Sequence, residues 1–177
     1  MKKNIMSAIA ACAILPAIGA IPVYLDDSRP IEERVEDALG RMTTEEKVAM
    51  LHAQSKFSSA GVPRLGIPEF WTTDGPHGIR PEVLWDEWEQ AGWTNDSCTA
   101  FPALTCLAAT WNPDMSLLYG KSIGEEARYR KKDILLGPGV NIYRTPLNGR
   151  NFEYMGEDPY LAGEMAVPYV KGVQAVS

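Results

Sequence analysis

The sequence predicts an α/β fold assembled from parallel β/α units, and three observations carry that reading. Short β-branched and aromatic runs end directly in glycine- and proline-rich loops. Longer stretches with apolar residues at helical spacing follow them. The strand-loop-helix order recurs up to three times, the pattern of a parallel sheet with helical crossovers. The residues most suited to chemistry fall at strand carboxyl ends, where barrel enzymes place their sites.

The 177 residues are 45% hydrophobic and 23% charged, in the range of a folded chain. The length falls short of the ~250 residues of a complete eightfold barrel. Seventeen basic against twenty-three acidic residues give a net charge of -6. No basic cluster interrupts that balance, which argues against a nucleic-acid partner.

The elements follow in order. Lys2 and Lys3 precede an apolar stretch over residues 5–20, with small residues Ala17 and Gly19 at its exit. This reads as a secretory signal over residues 1–20 and predicts a periplasmic or extracellular protein with no membrane attachment after cleavage. Its removal leaves 15 basic and 23 acidic residues, a net charge of -8. Cys98 and Cys106 then remain, in a compartment that allows disulfides, but spacing alone does not pair them. Residues 21–30 read as a polar linker. Ile31, Val35, Ala38 and Leu39 recur at helical spacing until Gly40 interrupts them. Thr43 and Glu46 form a capping box that opens a second short helix.

Phe70-Trp71-Thr72-Thr73 reads as a buried strand ending in the loop Asp74-Gly75-Pro76-His77-Gly78. A polar insertion with Trp85, Trp88 and Trp93 follows over residues 81–99. Residues 104–110 read as a second strand. Asn112-Pro113 is a helix start, with Asn as N-cap and Pro at the first helical position. Met115, Leu118, Tyr119, Ile123 and Ala127 form its apolar face, and Lys131 and Lys132 complement the dipole at its far end. Ile134-Leu135-Leu136 is a third strand, closed by Gly137-Pro138-Gly139. After a long loop over residues 140–157, Asp158-Pro159 opens a helix. Its apolar face is Leu161, Met165, Tyr169 and Val173, and Pro168 is expected to kink it.

Asp74 has two readings: the first residue of an Asp-Gly turn, or a carboxylate accepting two hydroxyl donors, as a sugar would offer. Arg80 points into the same site or lies on the surface. Arg150, in Gly149-Arg150-Asn151-Phe152-Glu153, is either a planar donor for vicinal hydroxyls or half of an ion pair with Glu153 that staples the loop. His77 reads as structural, and with no second His or Cys nearby a zinc site is not expected. No Gly-x-Ser-x-Gly elbow or phosphate-binding loop is present.

Taken together, RVEDALGRMTTEEKVAML, TTDGPHGIRPE, TAFPALTCLAATWNPDMSLLYGKSIGEEAR, LLGPGVNIYRTPLNGRNFEYMGEDPYLAGE and YVKGVQ resemble glycoside hydrolase family 3, the β-glucosidase and β-xylosidase family. Each motif is modest alone; their order and spacing are specific. The resemblance implies an incomplete TIM-like (β/α) barrel over residues 31–177, comprising the first three or so β/α units behind two N-terminal helices. It implies a retaining β-glycosidase acting on terminal β-linked glucosides or xylosides, with no cofactor and no metal. By resemblance Asp74, Arg80 and Arg150 match sugar-hydroxyl ligands. The family's Lys-His pair, its Asp nucleophile and its Glu acid/base have no counterpart here. The chain therefore reads as an N-terminal fragment, inactive without the C-terminal part of the same enzyme. The competing readings are a non-catalytic carbohydrate-binding module stacking sugars on Trp85, Trp88 and Trp93, or a truncated product.

Overall fold

A computed structural model describes residues 21–80 and 97–176. The expected secretory signal over residues 1–20 and the insertion's Trp85, Trp88 and Trp93 lie outside the described residues. The chain divides into two units, Met1–Met42 and Thr43–Ser177.

In the first unit a 3-10 turn, Val23–Leu25, precedes helix α1, Ile31–Arg41. The helix runs through Gly40 rather than stopping at it, because one glycine costs only about 1 kcal/mol. The Tyr24 amide donates to Asp37 Oδ2 at 3.0 Å, and Arg34 Nε donates to the Tyr24 carbonyl at 3.2 Å. The Arg41 guanidinium lies 5.6 Å from the centre of the Tyr24 ring.

The second unit opens with helix α2, Thr44–Met50. The capping box forms as the spacing predicts: the Glu46 amide donates to Thr43 Oγ1 at 3.2 Å, and the Thr43 amide to Glu46 Oε2 at 2.8 Å. Strands β1 (Ser58–Ser59), β2 (Phe70–Asp74) and β3 (Ile134–Leu136) form one sheet in that order. The β2–β3 pair is parallel, with Thr72, Thr73 and Asp74 opposite Ile134, Leu135 and Leu136. The β1–β2 pair is antiparallel, an addition that the two-residue length of β1 hid from pattern reading. Just before β3, Asp133 accepts the Trp71 amide at 2.7 Å and its own amide donates to the Trp71 carbonyl at 2.9 Å.

The expected middle strand is instead a helix, α3, Leu104–Ala108. Leu104, Leu107 and Ala108 are its buried residues and stand at i, i+3 and i+4, which is one helical face. The described residues thus hold two parallel strands, not three. Helix α4, Pro113–Tyr129, starts at Asn112, whose side chain accepts the Asp114 and Met115 amides. Helix α5, Pro159–Gln174, starts at Asp158 and continues through Pro168. Among the described residues, no helix is long and apolar enough to cross a membrane.

The core lies where α3, α4 and α5 meet the loop after β2. Ile79, Leu104, Ile123, Met165 and Tyr169 are fully buried there. Each such aliphatic side chain contributes about 1.5–3 kcal/mol by leaving water. The buried face of α4 differs from the expected one. It is Ser116, Tyr119, Gly120, Ile123, Gly124 and Ala127, while Met115 and Leu118 are exposed. Glycines on this face admit the α5 backbone: a Cβ on Gly120 would stand 2.1 Å from the Tyr169 carbonyl oxygen. Ser116 Oγ donates across the same seam to the Met165 carbonyl at 2.6 Å. Lys132 does not serve the α4 dipole. It is buried, with its ammonium 4.9 Å from the centre of the Trp71 ring.

Candidate functional site

Asp74 is the last residue of β2, at the carboxyl end of the parallel pair. The strand buries Thr73 and leaves the Asp74 side chain about half exposed. Gly75 then turns the chain with φ +122°, and a Cβ there would stand 2.0 Å from the Gly78 carbonyl oxygen, so only glycine fits. The Arg80 amide closes the loop, donating to the Asp74 carbonyl and to Thr73 Oγ1, each at 3.2 Å. That closure turns the Arg80 side chain back toward the strand end. Its Nη1 lies 3.7 Å from Asp74 Oδ2, and its guanidinium sits 5.4 Å from the centre of the Phe57 ring.

Asp74, Arg80, His77, Thr99, Phe152 and Glu153 line an open cavity of about 330 Å³. Arg150 does not line it. Arg150 is exposed beside it, its Nε donating to Glu153 Oε1. The Glu153 hydrogen bond, with smaller help from Tyr154 and Asp74, holds the Arg150 guanidinium above its usual range. The structure therefore joins Asp74 and Arg80 in one cavity, with Arg150 at its edge and paired as a loop staple. The staple and a sugar contact are compatible, since Nε carries the pair and the guanidinium has further donors.

His77 takes the structural role expected of it. Its Nε2 accepts the Leu104 amide, the first of α3, at 3.1 Å, which requires a neutral ring protonated on Nδ1. Burial lowers its pKa, opposed by the nearby Glu153 carboxylate. Its carbonyl accepts the Phe101 amide at 2.8 Å, and its ring meets Phe152 edge-on at 6.3 Å. Cys98 and Cys106 are both free thiols, and Cys98 lines the cavity.

Sequence reasoning missed the tyrosines. Tyr119 and Tyr169 were legible only as members of two apolar faces, yet their hydroxyls reach the site loop, both bonding the Pro76 carbonyl. The signal was a phenol at a core position, because a buried hydroxyl needs a partner.

Comparisons with known proteins give this cavity a context. Residues 35–177 match the model of the glycosyl hydrolase family 3 N-terminal domain. A β-glucosidase from Bacteroides ovatus is 74% identical over 153 residues, 86% of this chain and 20% of the relative. An exo-α-(1→6)-L-arabinopyranosidase from Bifidobacterium longum is 43% identical over 138 residues, 76% of this chain and 18% of the relative. Among solved structures, β-glucosidase 3B from Thermotoga neapolitana in complex with glucose superposes with a TM-score of 0.69 at 40% identity. That match covers 80% of this chain and 21% of the other. The chain thus spans about a fifth of the length of the relatives it matches.

Proposed function

The chain belongs to glycosyl hydrolase family 3, and from that premise we propose that it supplies the sugar-holding part of a secreted, retaining β-glucosidase. Asp74, Arg80 and Arg150 bind hydroxyls of a terminal β-linked glucosyl residue. The observation that carries this reading is Asp74 itself: a half-exposed carboxylate at the carboxyl end of a parallel strand, beside an arginine and open to a cavity. A carboxylate accepts two hydroxyl donors and an arginine donates to sugar oxygens, so together they fix a polyol without reacting with it.

Retention takes a nucleophile and an acid/base, two carboxyl groups about 5–5.5 Å apart across the scissile bond. No residue of this chain is assigned to either place. Asp74 holds the sugar so that such a pair reaches the anomeric carbon, and the bond energy realised at remote hydroxyls lowers the barrier there. On this reading β2 and β3 are early strands of a TIM-like (β/α) barrel, with the site at its carboxyl face. The protein acts in the periplasm or outside the cell. The 43% identical arabinopyranosidase favours a second reading, a β-xylosidase, because arabinopyranose and xylopyranose share a ring without the hydroxymethyl group.

The test uses a full-length enzyme, the Bacteroides ovatus β-glucosidase with this chain's residues in place of its matching stretch. The hybrid should hydrolyse an aryl β-glucoside faster than the β-xyloside. Asp74→Asn and Arg150→Met should each lower kcat/KM by about 10- to 100-fold, the worth of a charged hydrogen bond. Retention of kcat/KM within about twofold in Asp74→Asn would refute the assignment. The isolated 177-residue chain should turn over no more glucoside than its Asp74→Ala control.

A further inference from the structure

We propose that Tyr119 and Tyr169 are positioning residues for the site: two hydroxyls, one from each of α4 and α5, fix the Pro76 carbonyl and thereby the placement of Asp74. The proposal rests on the reading of Asp74 as a sugar-hydroxyl acceptor.

Pro76 stands two residues beyond Asp74, in the loop that Gly75 turns and Arg80 closes. A backbone carbonyl turned away from water needs hydrogen-bond donors from other groups. Tyr119 Oη lies 3.2 Å and Tyr169 Oη 3.3 Å from that one oxygen, matching its two lone pairs. Tyr119 Oη also lies 2.8 Å from the Pro102 carbonyl, so its single proton is shared between the two carbonyls, more closely held by Pro102, and ties the site loop to the segment entering α3. The two rings pack at 5.5 Å, and both residues are nearly or wholly out of water. Burial holds both phenols above the usual tyrosine range, so both stay protonated donors. From the other side, a Cβ on Gly137 would stand 3.2 Å from Tyr169 Oη and 3.3 Å from Pro76 Cα, so the loop after β3 closes on the same point.

Core filling alone does not account for the hydroxyls. Phenylalanine supplies the same ring, and a buried hydroxyl is unfavourable unless bonded. Two helices distant in sequence direct theirs to one atom of the loop that carries Asp74. A displaced Pro76 carbonyl would move the carboxylate, and misplacement on the order of 1 Å at a positioning group is enough to lower rate substantially.

The hybrid full-length enzyme is assayed with an aryl β-glucoside and with analogues lacking one hydroxyl at a time. Asp74→Asn identifies the analogue whose missing hydroxyl is the one Asp74 holds, as the substrate on which that substitution has no effect. Tyr169→Phe and Tyr119→Phe are each expected to lower kcat/KM on the complete glucoside about 3- to 10-fold, and on that analogue less than about twofold. An equal loss on both substrates is the signature of a merely structural role and overturns the proposal, as does no loss on either. If Asp74→Asn instead lowers every substrate alike, the reading of Asp74 itself fails and the proposal falls with it. Hydrogen exchange on the 177-residue chain gives a second readout. Tyr169→Phe should speed exchange at the Arg80 amide, which donates to the Asp74 carbonyl, at least about threefold, while Ile123 in α4 stays within about twofold. Equal acceleration at both amides overturns the proposal.

Discussion

Replacing Gly120 and Gly163 by alanine makes the same chemical change in two helices and should have opposite effects. A Cβ on Gly120 would stand 2.1 Å from the Tyr169 carbonyl oxygen, 2.9 Å from its carbonyl carbon and 3.0 Å from its Cα. Ordinary contact begins at 3.4 Å, so α4 and α5 must part by about 1.3 Å. All three struck atoms are backbone, so no side-chain rotation relieves the clash. A gap of 0.5–1 Å already forfeits about a quarter to a half of the dispersion well, and overpacking a formed core costs about 1–3 kcal/mol. The better helix propensity of alanine returns about 1 kcal/mol. A net loss of up to about 2 kcal/mol remains for Gly120→Ala. Gly163, in α5, has nothing within 4 Å of its added Cβ, so only the propensity term acts and Gly163→Ala gains about 0.5–1 kcal/mol. Native-state hydrogen exchange at buried amides of α4 and α5 reads both effects directly. Exchange should rise by up to about 30-fold in Gly120→Ala and fall about 2- to 5-fold in Gly163→Ala. Slower exchange in both variants would refute the close approach of the two helices.

Two further predictions follow from local geometry. Thr43→Ala removes the hydroxyl that accepts the Glu46 amide and should weaken α2 by about 1 kcal/mol, seen as faster exchange of its first-turn amides; unchanged exchange would contradict the capping box. His77 has a folded pKa below its ordinary value of 6.5, so the unfolded chain takes up the proton first as pH falls. Stability tied to this residue is therefore full above about pH 6.5 and is lost progressively below it. His77→Gln, which keeps an acceptor but does not titrate, should flatten the stability difference between pH 7.5 and 5 measured by urea unfolding, and an unchanged difference would refute the neutral-ring assignment.

Much of the fold was legible because its signals are local. Asn112-Pro113, Asp158-Pro159 and the Thr43–Glu46 box start helices through bonds made within three residues. Strands β2 and β3 were readable from β-branched and aromatic runs stopped by glycine and proline. Residues 104–110 were not, because a short apolar run does not by itself separate strand from helix. There the i, i+3, i+4 spacing of Leu104, Leu107 and Ala108 held the answer. The α4 face misled for another reason. Hydropathy favours Met115 and Leu118 over Gly120 and Gly124, but α5 comes closest where side chains are smallest.

The sequence by itself determined the family motifs, the helix starts, and Asp74 at a strand end on a glycine-turned loop. These follow from residue types and bonds within a few positions of one another. Tertiary structure decided between readings the residues left open: Arg80 turns back to Asp74, and Arg150 stands at the cavity edge in a pair with Glu153. It alone brought the hydroxyls of Tyr119 and Tyr169, 43 and 93 residues beyond Pro76, to one carbonyl oxygen. The difference is physical: a cap or a turn is satisfied by its neighbours, whereas a buried polar tip is satisfied only by whatever atom the packed fold carries to it.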